Sequence, residues 1–397
     1  MQAALDALGD GALTEASIAR HVAPLFSRVL ARNRERIYLA NHSLGRPLDA
    51  LDDDVREATT AWFTRMGGAW DAWSAELAAH RSRLATLLGA GRPDCVVPKT
   101  SAGAGLRAVL NTFEQRARVV STRGEFDSLD VILREYAHRG RIELALVAPD
   151  DHDRYDEHAI ERAIVSGTDL VVVSQAMFRS GQLLDLRRVM ARAHDVGALV
   201  VLDVYHSLGV IPVDVEGLRA DFAVGGSYKY LRGGPGACFL YVAPRHLDAR
   251  LPTLDIGWFA KEAPFDYVRP DPPRFAAGGD AWMESTPPIL TWYQARSGQR
   301  FTLGIGVDRL RAYSLAQQAT LIGLLAERGI PATGARGDHG AFVAVRRDDA
   351  VDLASALKAR GIDVDARGEW LRLCPDVLTT DDELRRAAAA LAASWGR

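Results

Sequence analysis

The chain alternates short apolar runs with stretches whose apolar residues recur every three or four positions. The runs at 117–121, 142–147, 170–173, 198–202, 222–224 and 237–242 read as strands, and 198–202 is short, fully apolar and β-branched enough to be a buried parallel strand. A helix at 157–165 between the runs at 142–147 and 170–173 continues a β-α alternation, which predicts a mainly parallel sheet with helices on both faces. Upstream, Ile18, Val22, Leu25 and Val29 mark a helical segment over 14–36, with Thr14 as N-cap and Pro24 as a break point. Residues 58–88 read as mostly helical and carry the aromatics Trp62, Phe63, Trp70 and Trp73, suited to core or dimer packing. A helix is predicted over 106–113, preceded by small and hydroxyl residues. A long helical region over 292–328 leads into a smaller α/β unit, with strands near 341–345 and 370–373 and an alanine-rich terminal helix.

Composition narrows this picture. The 397 residues suffice for one large and one smaller domain, and we divide them into an amino-terminal helix and arm (1–45), a large domain (46–290) and a small domain (291–397). With 48% hydrophobic and 25% charged residues, the chain has the balance of a soluble globular protein. A net charge of −3 gives no electrostatic case for nucleic acid. Cys95, Cys238 and Cys374 are too few and too scattered for a disulfide framework or a zinc site, and read as buried thiols. No apolar run reaches the ~20 residues that span a bilayer. The start, MQAALDALGDGALTEA, lacks the basic and apolar regions of a signal peptide, so a cytoplasmic protein is expected.

The candidate chemistry lies in 198–242. One apolar run stops on Asp203, and the next opens into Gly225-Gly226-Ser227-Tyr228-Lys229, followed by Gly233-Gly234-Pro235-Gly236. A carboxylate at a strand end and a lysine in a small-residue, hydroxyl-rich turn suit pyridoxal 5′-phosphate (PLP). The lysine amine bonds the aldehyde carbon, and the carboxylate keeps the ring nitrogen protonated so that the ring accepts electrons. Glycines admit a close backbone approach, and hydroxyls bind phosphate. Strand-end aspartates and turn lysines also occur in α/β proteins of other chemistry, so spacing alone leaves both readings open.

The same stretch resembles the cofactor segment of class V fold-type I PLP enzymes, and within them kynureninase. The resemblance rests on Asp203-Val204-Tyr205-His206, on Ser227 to Leu231 and on Gly234-Pro235-Gly236. It extends, with gaps, from about Tyr38 to Pro375. Asn41-His42-Ser43-Leu44-Gly45 is similar to the family's amino-terminal signature, which implies that His42 and Ser43 line the substrate pocket. Thr100, Ser101 and Ala102 stand where the family binds the PLP phosphate. Phe126, on its own equally a buried loop aromatic, matches the phenylalanine that stacks on the ring. Trp258, in a Gly-Trp-Phe segment, and Thr286, in Ser285-Thr286-Pro287-Pro288, match cofactor-site positions supplied by the partner subunit, which implies a homodimer. Arg372 matches the arginine that grips the substrate α-carboxylate, a task suited to a guanidinium fork.

The resemblance implies a fold-type I architecture, with a mainly parallel sheet in the large domain and a smaller α/β domain after it. It further implies that Lys229 carries PLP and acts as general base. Asp203 would face the ring nitrogen, Phe126 and His206 would contact the ring, and Tyr228 would bind phosphate as a candidate proton donor. The implied reaction is β-cleavage of a kynurenine-type amino acid, with release of alanine. Three positions depart from the family. The stretch TAWFTRMGGAW lacks the family's substrate histidine, Lys261 replaces a second histidine, and Thr286 replaces the substrate-recognising asparagine. Those departures leave a C–S or β-elimination lyase, or an aminotransferase, as the alternative. Arg179 is a further candidate for an anionic substrate group. A PLP-binding regulator is the third reading; it would carry an appended DNA-binding domain, for which no spare residues are expected.

Overall fold

The structure is a computed structural model and describes residues 1–395. Its strands are β1 Ile37–Tyr38, β2 Val96–Lys99, β3 Ala117–Thr122, β4 Ile142–Val147, β5 Leu170–Ser174, β6 Leu199–Asp203, β7 Phe222–Gly226, β8 Cys238–Val242, β9 Val343–Arg346, β10 Ile362–Asp363, β11 Asp365–Arg367 and β12 Trp370–Leu373. Seven of them form the central sheet, in the order β2-β8-β7-β6-β5-β3-β4. Only β8 runs against its neighbours. The sheet is therefore mainly parallel, as the apolar runs predict. Val171, Val172, Val200, Val201 and Val224 are fully buried at its centre, each contributing roughly 1.5–3 kcal/mol through burial.

The parallel strands give the sheet one carboxyl edge. Asp203 ends β6 and Ser174 ends β5, and the two are paired in register. Phe126 follows β3, Thr100 follows β2 and Lys229 follows β7, while Cys238 opens the antiparallel β8 at the same edge. Ligands of open α/β sheets bind beyond that edge.

The three-stranded antiparallel sheet β11-β12-β9 belongs to a second apolar cluster, which includes Leu321, Leu325, Leu353, Leu371 and Leu384. β1 pairs in parallel with β10, Ile37 opposite Ile362, so the amino-terminal arm is stitched to the carboxy-terminal unit. Among the described residues no helix is long and apolar enough to cross a membrane.

Several boundaries differ from the sequence expectation. Thr14 does cap Ser17, but the segment breaks into short turns around Pro24 before a helix at Ser27–Arg32. The aromatic helical region is two helices, Leu51–Arg65 and Ala69–Leu88, divided by a turn at Met66–Gly68. The helix expected over 106–113 begins at Ala102, because the Ser101 side chain accepts the Ala104 N–H and starts it there, and it ends at Leu110. The long region near the carboxyl end is also two helices, Ile289–Ile305 and Val307–Ala326, with Gly306 between them at φ 91°. That backbone conformation favours glycine.

Candidate active site

At the sheet edge lies a cavity of about 190 Å³, walled by Thr100, Ser101, Ala102, Phe126, Asp203, His206, Tyr228 and Lys229 among others. Close backbone packing brings the lysine there. Gly226 lies against the Tyr205 hydroxyl, where an added Cβ would stand 2.1 Å away. Gly45 lies against the Lys229 carbonyl oxygen, where an added Cβ would stand 2.0 Å away. The Gly45 N–H donates to the Tyr228 carbonyl at 2.8 Å, so the arm and the lysine turn are one assembly.

Lys229 is 4% exposed. Its Nζ lies 2.6 Å from His206 Nε2, 4.8 Å from the Tyr205 ring centre and 5.3 Å from that of Phe126. Burial lowers the ammonium pKa; Asp203 opposes the shift and Arg372 adds to it, giving a value of about 7. Burial also pushes His206 well below its ordinary value, with the Lys229 charge adding to the effect, so the ring is neutral. Asp203 accepts the Tyr205 N–H at 2.7 Å. Burial raises its pKa, while that hydrogen bond and Lys229 act against the rise. The site thus brings together a lysine that is readily neutral, a neutral imidazole and a buried carboxyl.

Arg372 does not line the cavity. It is 2% exposed, and its Nε and Nη2 donate to Asp365 at 2.8 and 2.7 Å, while Nη1 donates to the Phe178 carbonyl. His42 Nε2 meets the same Asp365 at 2.8 Å, and the Ser43 hydroxyl donates to it. These three predicted substrate residues therefore converge, but on an aspartate of their own chain. Arg179 is exposed, lies over the Phe178 ring and is off the cavity wall.

Trp258 and Thr286 also stand off this wall. The Trp258 indole donates to the Thr286 hydroxyl at 3.3 Å. Trp258 belongs to an aromatic surface joining Phe259, Phe265 and Tyr267 to Trp70.

Sequence reasoning did not single out Tyr205, Ser174 or Phe178 on the cavity wall and read Cys238 only as a buried thiol; it also missed Glu125, hydrogen-bonded to Ser174, and Asp365, which Arg372 joins to the Phe178 carbonyl. Tyr205 had a signal, since it stands two residues after Asp203 at a strand end. Buried Glu125 accepts Thr122 Oγ1 at 2.7 Å and Ser174 Oγ at 2.6 Å.

A family model described as Aminotransferase class-V matches residues 64–374. The chain belongs to this family. It is kynureninase-like within it, being 30% identical over 392 residues to a kynureninase of Deinococcus radiodurans, across 90% of this chain and 89% of the relative. It is 29% identical over 370 residues to a kynureninase of Bacillus anthracis, across 86% of this chain and 84% of the relative. Among solved structures, a C-DES mutant with glycine covalently linked to its PLP cofactor superposes with TM-score 0.83 at 18% identity, covering 93% of this chain and 98% of that one. An apo cysteine desulfurase from Thermococcus onnurineus gives 0.77 at 20% identity, with 91% and 95% covered. These structural likenesses speak for the fold, which is that of the fold-type I PLP enzymes.

This class V enzyme uses PLP, and the residues present fit that group. Lys229 supplies an amine that is readily neutral near pH 7. Ser101 and the free N–H groups that open the nine-residue helix Ala102–Leu110 suit a phosphate. The buried His206 Nδ1 has no hydrogen-bond partner among the described residues, so it is one further polar atom open to a ligand.

Proposed function

We propose that this enzyme performs kynureninase-type hydrolysis, in which water adds to the γ-carbonyl carbon of a kynurenine-type amino acid and the Cβ–Cγ bond breaks. The products are alanine and an aryl acid. The observation that carries this reading is the similarity to kynureninases over nine-tenths of the chain.

Bound PLP supplies an electron sink for charge developing at the substrate α-carbon. In this reading Lys229 holds the cofactor and, once freed, its neutral amine takes the α-proton. The lowered lysine pKa supports that role. Asp203 would face the ring nitrogen, Phe126 and His206 would contact the ring, and Thr100, Ser101 and Ala102 would hold the phosphate, all of them on the cavity wall. Tyr228 would bind the phosphate and is the candidate donor of a proton to the β-carbon. Arg372, with His42 and Ser43, takes the α-carboxylate.

Trp258 and Thr286 belong, in this reading, to the site of a second subunit. Exposed apolar side chains at Trp62, Phe63, Met66, Leu254, Tyr267 and Val268 support a homodimer through that face. The alternative is β-elimination, C–S cleavage or transamination of a smaller amino acid. It draws on Thr286, Lys261 and the absence of a histidine from 60–70, which change the residues expected around an aromatic amine.

A substrate screen separates the two. L-kynurenine and 3-hydroxykynurenine are run beside cysteine-type and aliphatic γ-keto amino acids, with product analysis. Alanine plus an anthranilate is the expected result. Turnover confined to non-aromatic substrates would replace the hydrolase reading with the alternative.

A further inference from the structure

Asp365 opens β11, an edge strand, and stands directly opposite Arg372 on β12. Its two carboxylate oxygens receive Arg372 Nε and Nη2 at 2.8 and 2.7 Å, His42 Nε2 at 2.8 Å, and the Ser43 hydroxyl. Four donors from two segments remote in sequence thus converge on one carboxylate. A planar fork meeting two carboxylate oxygens is also the arrangement that a free amino acid's carboxylate would take. Two carboxylates cannot hold the same edge of the fork together.

We propose that Asp365 is an internal occupant of the substrate's carboxylate subsite, which keeps Arg372, His42 and Ser43 assembled and gives way when an amino acid binds. The inference rests on the reading of Arg372 as the carboxylate-binding residue. The two sides of the pair differ in freedom. Arg372 is fixed, with its third nitrogen on the Phe178 carbonyl and its side chain 2% exposed. Asp365 lies on a three-residue edge strand with its side chain 17% exposed, so it is the partner nearer to water and the one free to move aside. A ligand's apparent Kd rises as the open fraction falls, so a pair open one-tenth of the time weakens binding about tenfold. Asp365 is then a positioning residue that sets amino-acid affinity.

A cross-strand ion pair with a purely structural role predicts the opposite sign. Removing Asp365 would leave Arg372 buried and misaligned, and amino acids would bind more weakly. The test titrates holoenzyme with L-alanine and with ethylamine, which lacks the carboxylate, following the visible absorbance of bound cofactor. Asp365→Asn should tighten L-alanine about tenfold and leave ethylamine unchanged, with thermal unfolding as in the parent. Weaker or unchanged L-alanine binding in a folded Asp365→Asn protein overturns the inference. If that variant loses its unfolding transition, Asp365→Ser is judged by the same criterion. Arg372→Ala separates the two claims: L-alanine binding should weaken with or without Asp365→Asn. If Arg372→Ala leaves L-alanine binding unchanged, the assignment of Arg372 itself fails.

Discussion

Asp376→Ala should destabilise the protein severely, because one buried carboxylate joins three parts of the site. Asp376 Oδ2 accepts Arg46 Nε at 3.0 Å, and Oδ1 accepts Arg232 Nη2 at 2.6 Å and the Val377 N–H at 2.6 Å. Arg46 follows Gly45 in the arm, and the Arg232 N–H donates to the Lys229 carbonyl at 3.0 Å. Burial opposes the Asp376 charge, but the two guanidiniums outweigh it and hold the pKa below its ordinary value. Both arginines are buried. Removing the carboxylate leaves two buried cations without their common partner, and breaking such a pair costs about 3–5 kcal/mol. The arginines share one anion, so the losses do not double. Against a typical stability of about 5–15 kcal/mol this is a large fraction. Urea unfolding of holo and apo protein measures it, read as a lower midpoint at unchanged slope. Replacing the whole set with apolar residues, Arg46→Met, Arg232→Met and Asp376→Leu together, should recover most of the loss. A cost below about 1 kcal/mol for Asp376→Ala would refute the reasoning.

Three further predictions address the lysine turn and the buried carboxyl behind the cavity. Uptake of PLP by apoenzyme should accelerate with pH up to about 7 and then level, because only the neutral Lys229 amine attacks an aldehyde; stopped-flow absorbance checks this, and a rise continuing to pH 10 would contradict it. Glu125 has its carboxyl raised from 4.5 to about 7, by burial and against the hydrogen bonds from Ser174 and Thr122. The native state therefore binds more protons than the unfolded one between those values, and stability falls as pH rises through that window. Glu125→Gln should remove a pH-dependent loss of about 3 kcal/mol, seen as a flatter midpoint-versus-pH curve in urea; an unchanged slope would count against it. Gly45→Ala forces a methyl group toward the Lys229 carbonyl oxygen, and should cost about 1–3 kcal/mol and weaken PLP retention on dialysis; parent-like retention would be the contrary result.

The parallel sheet was legible because its central strands are continuous apolar runs, whereas Asp203 and Lys229 suited PLP by residue type and strand-end position but took their roles from the resemblance, spacing alone leaving other readings open. Thr14 and Pro24 announced their cap and break directly. Gly306 offered a signal too, a glycine inside a helical pattern, but its positive φ emerges only in the fold. Other features needed three dimensions. β10 and β11 span two and three residues, too short for any alternation to register. Asp365 consequently drew no reading, and its position opposite Arg372 depends on cross-strand register. Tyr205 stood within the quoted motif, yet its ring reaches the lysine only because Gly226 has no side chain. Glu125 drew no separate reading beside Phe126; it lies buried after β3, where Thr122 and Ser174 meet its carboxyl.

The most direct test of the central claim is borohydride reduction of the holoenzyme followed by mass mapping of its peptides. A pyridoxyl phosphate group on the peptide containing Lys229 is the predicted result. Label on Lys99, which precedes the residues proposed to hold the phosphate and pairs with Glu284, or label on no lysine at all, would contradict the account.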